Sequence, residues 1–292
     1  SLLKDSTIYV SLEPCSHYGK TPPCADLIIN KGIPRVVVGC QDPFSLVAGR
    51  GIQKMRDAGI DVKVGILEEE CRQLIRRFVT FNTLKRPFIT LKWAESADGF
   101  IDLHRTGGHP YIFSSPLSSM LVHKRRAEHS AILVGRRTAL LDNPSLTTRS
   151  WYGKNPVRVV IDKNLTLPTH LALFDGSTRT LVFTQREDAP SLPNVEYIRL
   201  DFNIDILPQI MEVLYREKLQ TLMVEGGSIL LQSFIDANCW DEAFIEQSDV
   251  HLSKGIEAPT FTGIYDSLTI RQFGKDIKYV LNKASEQVNE TE

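Results

Sequence analysis

An excess of charge of either sign is missing from this sequence: 34 lysines and arginines stand against 35 aspartates and glutamates over 292 residues, a net charge of −1. A chain without a basic excess has little to neutralise a phosphate backbone or an anionic leaflet, so no nucleic-acid and no membrane partner is expected. Long apolar runs are missing too. Val36 to Val38 and Ala131 to Val134 are of strand length, far short of the roughly 20 residues that cross a bilayer. Cysteine is scarce: Cys15, Cys24, Cys40, Cys71 and Cys239 make an odd count of five, which suits reduced thiols and a cytoplasmic location better than a disulfide framework. No internal repeat or low-complexity tract is visible, which excludes solenoids and coiled coils.

What is present is an ordinary globular composition, 42% hydrophobic and 24% charged. At about 150 residues per domain the length suggests two domains, each able to bury a core of its own. Strand and helix patterns alternate, which predicts an α/β fold with helices on the faces of parallel or mixed sheets. The first series has strands at 7–12, 35–39 and 61–64, with helices from Ala25, over 49–58 and over 68–83. Thr7 to Leu12 reads as a buried strand after only a few residues, as if the beginning of the chain were missing. Leu84-Lys85-Arg86-Pro87 is the expected linker, since proline forbids helical continuation. The second series has strands at 88–93, 130–135, 158–161, 180–184, 222–224 and 243–246, helices at 116–127, 204–217 and 228–238, and a closing antiparallel pair near 269–271 and 278–281. The expected division is therefore 1–84, 85–284 and a polar tail over 285–292.

The most informative segment runs from Leu12-Glu13-Pro14-Cys15 through Ser16-His17-Tyr18-Gly19-Lys20-Thr21-Pro22-Pro23 to Cys24. It is a strand entering a proline-bounded loop whose second cysteine opens a helix. A helix N-terminus offers partial positive charge and free amides, which favour the thiolate, the form that binds zinc. Cys15 and Cys24 would make half of a tetrahedral metal site; the alternative is a pair of small buried hydrophobes. His17 and Lys20 are either solvated or, as the resemblance described next implies, lie in the loop where a phosphorylated pyrimidine would dock. Glu13 is as well explained by a structural role as by a catalytic one.

The segment resembles the zinc nucleobase deaminases, in which a His and two Cys hold the metal and a Glu that is not a ligand moves the proton. Among these it resembles the deaminase half of the bifunctional riboflavin-biosynthesis deaminase/reductase, as do Gln41-Asp42-Pro43 and Val47-Ala48-Gly49-Arg50-Gly51. In that family the His-x-Glu pair lies upstream of the Pro-Cys loop, whereas fourteen residues precede Cys15 here and none is His. The catalytic acid/base therefore has no counterpart in this chain. A missing beginning, a shortened chain and a protein that has lost deamination all remain open.

The second half points the same way. Thr221 to Val224 runs into Glu225-Gly226-Gly227-Ser228 and a helix, where glycines permit close backbone approach and a helix start offers amides to an anion. Together with Leu91-Lys92-Trp93-Ala94-Glu95-Ser96-Ala97-Asp98-Gly99, with Thr138, and with Leu141-Asp142-Asn143-Pro144-Ser145-Leu146-Thr147-Thr148-Arg149, it resembles the reductase domain of the same family, which has a dihydrofolate-reductase-like fold. The resemblance implies an N-terminally incomplete cytidine-deaminase-like domain followed by that reductase.

It further implies NADPH contacts at Ala94, Tyr111, Thr138, Asp142, Lys163, Gly227 and Ser228, and substrate contacts at His109, Arg126, Leu146, Arg149 and Glu225, with Lys92 close enough to join them. Tyr111, Lys163 and His109 depart from the residues usual at their places. Arg126 and Arg149 are each able to grip a phosphate in a bidentate fork. The function implied is zinc-dependent deamination of a diaminopyrimidinone ribosyl phosphate, then NADPH-dependent reduction of its ribose to ribityl. The rivals are a reductase with a non-catalytic first domain and a non-enzymatic ligand-binding module. A homo-oligomer is expected from its commonness among soluble enzymes.

Overall fold

The computed structural model describes residues 2–18, 21–43 and 48–284. The chain divides into two compact units, Ser1–Lys85 and Arg86–Glu292.

In the first unit β1 (Thr7–Leu12), β2 (Arg35–Cys40) and β3 (Asp61–Val64) form a parallel sheet in that order, with Thr7 opposite Arg35 and Arg35 opposite Asp61. Helices α1 (Cys24–Lys31), α2 (Arg50–Asp57) and α3 (Glu68–Thr83) connect and cover it. β2 is the middle strand, and its Val36 and Val38 pack with Ala25 and Ile28 of α1, Ile52 and Met55 of α2 and Val62 of β3. β1 corrects the expectation of a buried strand. It takes an edge of this sheet, and Tyr9 is 75% exposed.

Glu13, just beyond β1, is buried and its carboxylate accepts four backbone amides. Gly51 N donates at 2.8 Å, Gly49 N at 2.9 Å, and Asp42 N and Ile52 N at 3.2 Å each. Two of these amides open α2, where orphan donors and the helix dipole favour a negative partner. A Cβ on Gly51 would stand 1.9 Å from Pro14 O, so that close approach requires glycine. Glu13 is thus a structural residue that holds the cysteine loop against the start of α2.

In the second unit nine strands among the described residues form one sheet. Its parallel part has the order β11 (Glu242–Gln247), β4 (Phe88–Glu95), β10 (Thr221–Glu225), β6 (Ala131–Gly135), β7 (Val157–Ile161), β8 (Thr180–Thr184) and β9 (Val195–Arg199). The antiparallel hairpin of β13 (Tyr265–Gln272) and β14 (Lys275–Asn282) extends it beyond β11. A short pair, β5 (Phe100–Asp102) with β12 (Ile256–Glu257), stands apart. The helices are α4 (Pro116–Ala127), α5 (Arg136–Asp142), α6 (Ile206–Arg216) and α7 (Ser228–Asp236).

Alternation along the strands sorts side chains to two faces. Leu133, Val159, Leu181, Leu222 and Val224 join one cluster with α6 and α7. Ile132, Val160, Val182 and Met223 join another with Leu146, Leu171 and Phe174. Sequence signals explain the helix starts: Ser115 accepts from Ser118 N with Pro116 as the first residue of α4, and Asp205 accepts from Leu207 N before α6.

The short strands β5 and β12 escape the periodicity, and so do α5 and β9. α5 was not among the expected helices, because it is short and has a single fully buried residue, Ala139. β9 was not foreseen because it is an edge strand whose residues are all at least partly exposed. The order of strands has a functional consequence. The chain lays β6 to β9 outward, then returns to place β10 between β4 and β6, and such a reversal opens a crevice at the carboxyl ends of the strands.

Candidate active site

In the first unit the loop and the helix start bring the two thiols together. Cys24 is the first residue of α1, its amide donates to Cys15 Sγ at 3.3 Å, and Ala25 N donates to Cys15 O at 3.1 Å. The hydrogen bond from the Cys15 sulfur and partial burial raise the Cys24 thiol above its ordinary value. The Cys24 thiol therefore resists ionisation until a cation joins it. Among the described residues no third His, Cys, Asp or Glu converges on the pair, so what the loop offers a metal is at most two sulfurs, half of a tetrahedral set. His17 lies exposed on a bend two residues after Cys15. Lys20 falls outside the described residues.

In the second unit the candidates meet where β4, β10 and β6 end. Lys92 and Glu225 are opposite each other in the β4–β10 register, and Phe244 is opposite Lys92 on the other side. All three lie on the face covered by α4. The Arg126 guanidinium reaches down from α4 to Glu225, Nη2 to Oε2 at 2.7 Å and Nε to Oε1 at 3.2 Å, while its Nη1 donates to Thr147 O at 3.2 Å. Both partners are nearly buried. Desolvation would raise the Glu225 carboxyl, but the Arg126 and Lys92 charges outweigh it and hold it below the ordinary carboxylate value. Burial pushes the Lys92 ammonium down, against the pull of Glu225 and Glu246.

Three neighbours of this cluster were not anticipated. Glu246 is 1% exposed and accepts Ser114 Oγ and Ser118 Oγ, each at 2.8 Å. His123 Nδ1 lies 2.8 Å from Thr147 O; a carbonyl only accepts, so Nδ1 carries the proton. Burial and then Arg126 lower the His123 imidazolium, leaving a neutral ring. Arg125 stacks on Phe244, with 3.4 Å from the guanidinium carbon to the ring centroid. The signal for these residues was faint, since nothing local in the sequence says which side chains of α4 and β11 face the end of β10.

Beside Glu225 the chain turns through Gly226 and Gly227, with φ of 82° and 83°. Both values lie where only glycine is unstrained. A Cβ on Gly226 would stand 3.0 Å from Thr138 Cγ2, and one on Gly227 would stand 3.4 Å from Thr138 Oγ1. Thr138, on α5, therefore packs directly on this turn. α7 begins at once, without a side-chain cap, while Ser228 Oγ donates to Glu257 O at 2.7 Å. A backbone-lined bend leading into an uncapped helix fits the pyrophosphate of a dinucleotide.

The remaining candidates are more scattered. Ala94 lies two residues beyond Lys92 on β4. Asp142, at the end of α5, is in an ion pair with Arg105, which also binds Asp102 at 2.6 Å. His109 and Tyr111 are exposed in the segment between β5 and α4; Tyr111 N donates to Asp102 Oδ1 at 3.2 Å. Lys163 follows β7, and its ammonium stands 5.5 Å from the centroid of the Phe202 ring, two strands over from β10.

Leu146 is 1% exposed and belongs to the second cluster. Its side chain is therefore core, and only its backbone, at φ 51°, is left to face a ligand. Arg149 is exposed, and among the described residues its one hydrogen bond is Nη1 to Ser145 Oγ at 2.8 Å. The two arginines thus differ from the expectation of two phosphate forks. Arg126 commits all three of its nitrogens to Glu225 and Thr147, whereas Arg149 keeps most of its donors.

Comparison with known proteins covers both units. Residues 87–248 match the RibD C-terminal domain, and residues 1–40 match the cytidine and deoxycytidylate deaminase zinc-binding region. The chain is 40% identical over 250 residues to the riboflavin biosynthesis protein RibD of Bacillus amyloliquefaciens, covering 83% of this chain and 67% of that one. It is 38% identical over 278 residues to RibD of Aquifex aeolicus, covering 92% and 77%. The crystal structure of a diaminohydroxyphosphoribosylaminopyrimidine deaminase/5-amino-6-(5-phosphoribosylamino)uracil reductase from Thermotoga maritima superposes with a TM-score of 0.83 at 37% identity, covering 92% of this chain and 77% of that one.

Proposed function

The chain belongs to the RibD family of riboflavin-biosynthesis proteins, and from that premise we propose that its second unit reduces 5-amino-6-(5-phosphoribosylamino)uracil with NADPH. The observation that carries this reading is the Gly226–Gly227 turn, packed on Thr138 and set directly beside the buried Arg126–Glu225 pair. A dinucleotide site and a polar substrate site then share one crevice.

Bound NADPH supplies a hydride for C1 of the ribose in its open imine form, giving the ribityl chain. The chain's own residues bind, orient and exclude water. Gly226, Gly227 and the first turn of α7 hold the pyrophosphate, with Ser228 fixing the helix start and Thr138 backing the turn. Glu225, ionised and immobilised by Arg126, accepts hydrogen bonds from ribose hydroxyls or ring N–H groups of the substrate. Lys92, opposite Glu225 in the strand register and within the field of the Glu225 and Glu246 charges, presents an N–H donor on the same face. Arg149 takes the phosphate, because its guanidinium is exposed and little committed. Ala94, Tyr111, Asp142 and Lys163 are assigned to the cofactor, and His109 and the Leu146 backbone to the substrate, on the strength of the family resemblance.

For the first unit we propose that Cys15 and Cys24 are two thiolate ligands of a zinc ion that serves deamination of the preceding pyrimidine, with His17 and Lys20 near its phosphate. What supports this is the convergence of the two sulfurs at the start of α1. Two ligands do not make a deaminase site, and no deamination step follows from them alone. A small phosphorylated pyrimidine as substrate and a homo-oligomeric, cytoplasmic enzyme complete the proposal. None of the described helices is long and apolar enough to cross a membrane.

The test is a comparison of wild type with Arg149→Ala. NADPH oxidation in the presence of 5-amino-6-(5-phosphoribosylamino)uracil is expected from the wild type. The variant should raise KM for the substrate by about tenfold or more, as for a lost hydrogen bond to a charged group, with KM for NADPH almost unchanged. A wild type that binds both ligands without oxidising NADPH would leave the binding-module reading in place.

A further inference from the structure

Arg158 is out of keeping with its strand. It sits on β7 between Val157 and Val159, in the interior of the sheet, with 0% exposure. Its side chain shares a face with Val160, which packs in the second cluster with Leu146 and Leu173. A guanidinium withdrawn from water is costly unless its donors are engaged, and an apolar side chain of similar volume often stabilises a core as well or better. A buried arginine here therefore calls for an account other than stability.

Its hydrogen bonds supply one. Nε donates to Ser145 O at 2.9 Å, Nη1 to Asp175 Oδ1 at 2.8 Å and to Leu173 O at 3.4 Å, and Nη2 to Ser177 Oγ at 3.2 Å. Three of these four bonds go to the segment 173–177, which is well fixed. Asp175 Oδ1 also accepts Ser177 N at 2.9 Å and Ser177 Oγ at 2.7 Å, and Thr180 Oγ1 donates to Leu173 O at 2.8 Å. The fourth bond holds Ser145. From Ser145 the loop continues to Leu146, in a left-handed conformation that costs energy to maintain outside glycine. It then reaches Thr147, whose carbonyl accepts Arg126 and His123, and Arg149, whose Nη1 donates back to Ser145 Oγ.

We propose that Arg158 is a positioning residue for the substrate: from inside the sheet it anchors Ser145 to the 173–177 segment, and through Ser145 it sets where Arg149 presents its guanidinium to the phosphate. The geometry needs a planar fork with donors on both sides. Lysine at the same place carries the charge but cannot reach Ser145 and Ser177 together. The proposal rests on the reading of Arg149 as the phosphate-binding residue, and the experiment separates the two.

Dissociation constants for 5-amino-6-(5-phosphoribosylamino)uracil and for NADPH are measured on the full chain for wild type, Arg149→Ala, Arg158→Lys and the double variant. Arg158→Lys should weaken the substrate by about tenfold and leave NADPH within about twofold. The double variant should be no weaker than Arg149→Ala alone, because both changes remove one interaction. Should Arg149→Ala weaken the substrate while Arg158→Lys does not, or should the two losses multiply, the positioning role is wrong although the site reading stands. Should Arg149→Ala leave the substrate unaffected, the site reading falls and the proposal with it. If Arg158→Lys fails to fold, Asp175→Asn repeats the test from the half-exposed end of the anchor. A smaller loss for substrate alone supports the role, and equal losses for both ligands overturn it.

Discussion

Arg126 and Glu225 come from elements far apart in the chain, the last turn of α4 and the last residue of β10, and meet in a two-bond pair at 2.7 and 3.2 Å in an almost dry site. A pair so buried contributes little net stability, because desolvation offsets the attraction, but removing one partner leaves the other uncompensated at a cost of about 3–5 kcal/mol. Its value is orientation: the carboxylate is held ionised, with Lys92 beside it and the Gly226–Gly227 turn next in the chain.

Glu225→Gln keeps the shape and removes the charge that Arg126 and Lys92 face. The expected outcome is a fall in kcat/KM of about 100-fold for the phosphorylated substrate, on the scale of a lost charge-assisted contact plus the disturbance of its partners, together with a lowered Tm. Steady-state kinetics and thermal unfolding check it. A variant with wild-type kinetics would remove Glu225 from the site.

Gly226→Ala forces a side chain into a turn at φ 82° and against Thr138 Cγ2 at 3.0 Å. A left-handed conformation outside glycine costs about 1–2 kcal/mol, to which the contact adds. NADPH affinity should fall by about tenfold or more. Thr138→Ser, which deletes the crowding methyl, should recover part of that loss in the double variant but not the backbone part. Fluorescence titration of NADPH into the three variants gives the answer.

Glu13→Gln tests the structural reading of the first unit. Four amides face that carboxylate, and hydrogen bonds to charged groups are each worth about 1.5–3 kcal/mol. Denaturant unfolding of the full chain should show the first unit destabilised by a few kcal/mol, with NADPH binding to the second unit preserved. Loss of NADPH binding in parallel would contradict that assignment.

Acid sensitivity has identifiable sources. Hydrogen bonding from Ser96 Oγ holds the Asp98 carboxyl at about 2, and hydrogen bonding from Arg158 does the same for Asp175. Folded values below the ordinary 3.8 mean that these carboxylates stabilise the fold above the unfolded value, and that this contribution is lost as pH falls toward 2. Tm measured downward from neutral pH should begin to drop steeply near pH 4, and Asp175→Asn should show a shallower drop from a lower starting point. An unchanged slope would mean that other groups govern acid unfolding.

The glycine turn and the cysteine loop were legible in the sequence because each is a run of adjacent residues whose backbone demands leave a local mark. The role of Arg126 was not. The sequence offered it, like Arg149, as a fork for phosphate, and only the packing of α4 over the sheet shows that its donors go to Glu225 and Thr147. Leu146 is a different case. It lies in a loop segment that reads as ligand-facing, yet its side chain is part of the core. Arg158 did leave a mark, a charge inside an apolar strand, but nothing local says which loops it binds.

By itself the sequence determined the alternation of strands and helices, the two-part organisation it predicts, and the short motifs at 12–24 and 225–228, since these follow from periodicity and backbone stereochemistry acting over a few residues. The tertiary structure alone decided which charges meet. Placing β10 between β4 and β6 sets Lys92 opposite Glu225, and α4 then delivers Arg126 and His123 to the same place. Electrostatics in a water-poor site depends on separations of a few ångströms between residues about a hundred positions apart, and no pattern along the chain encodes such distances.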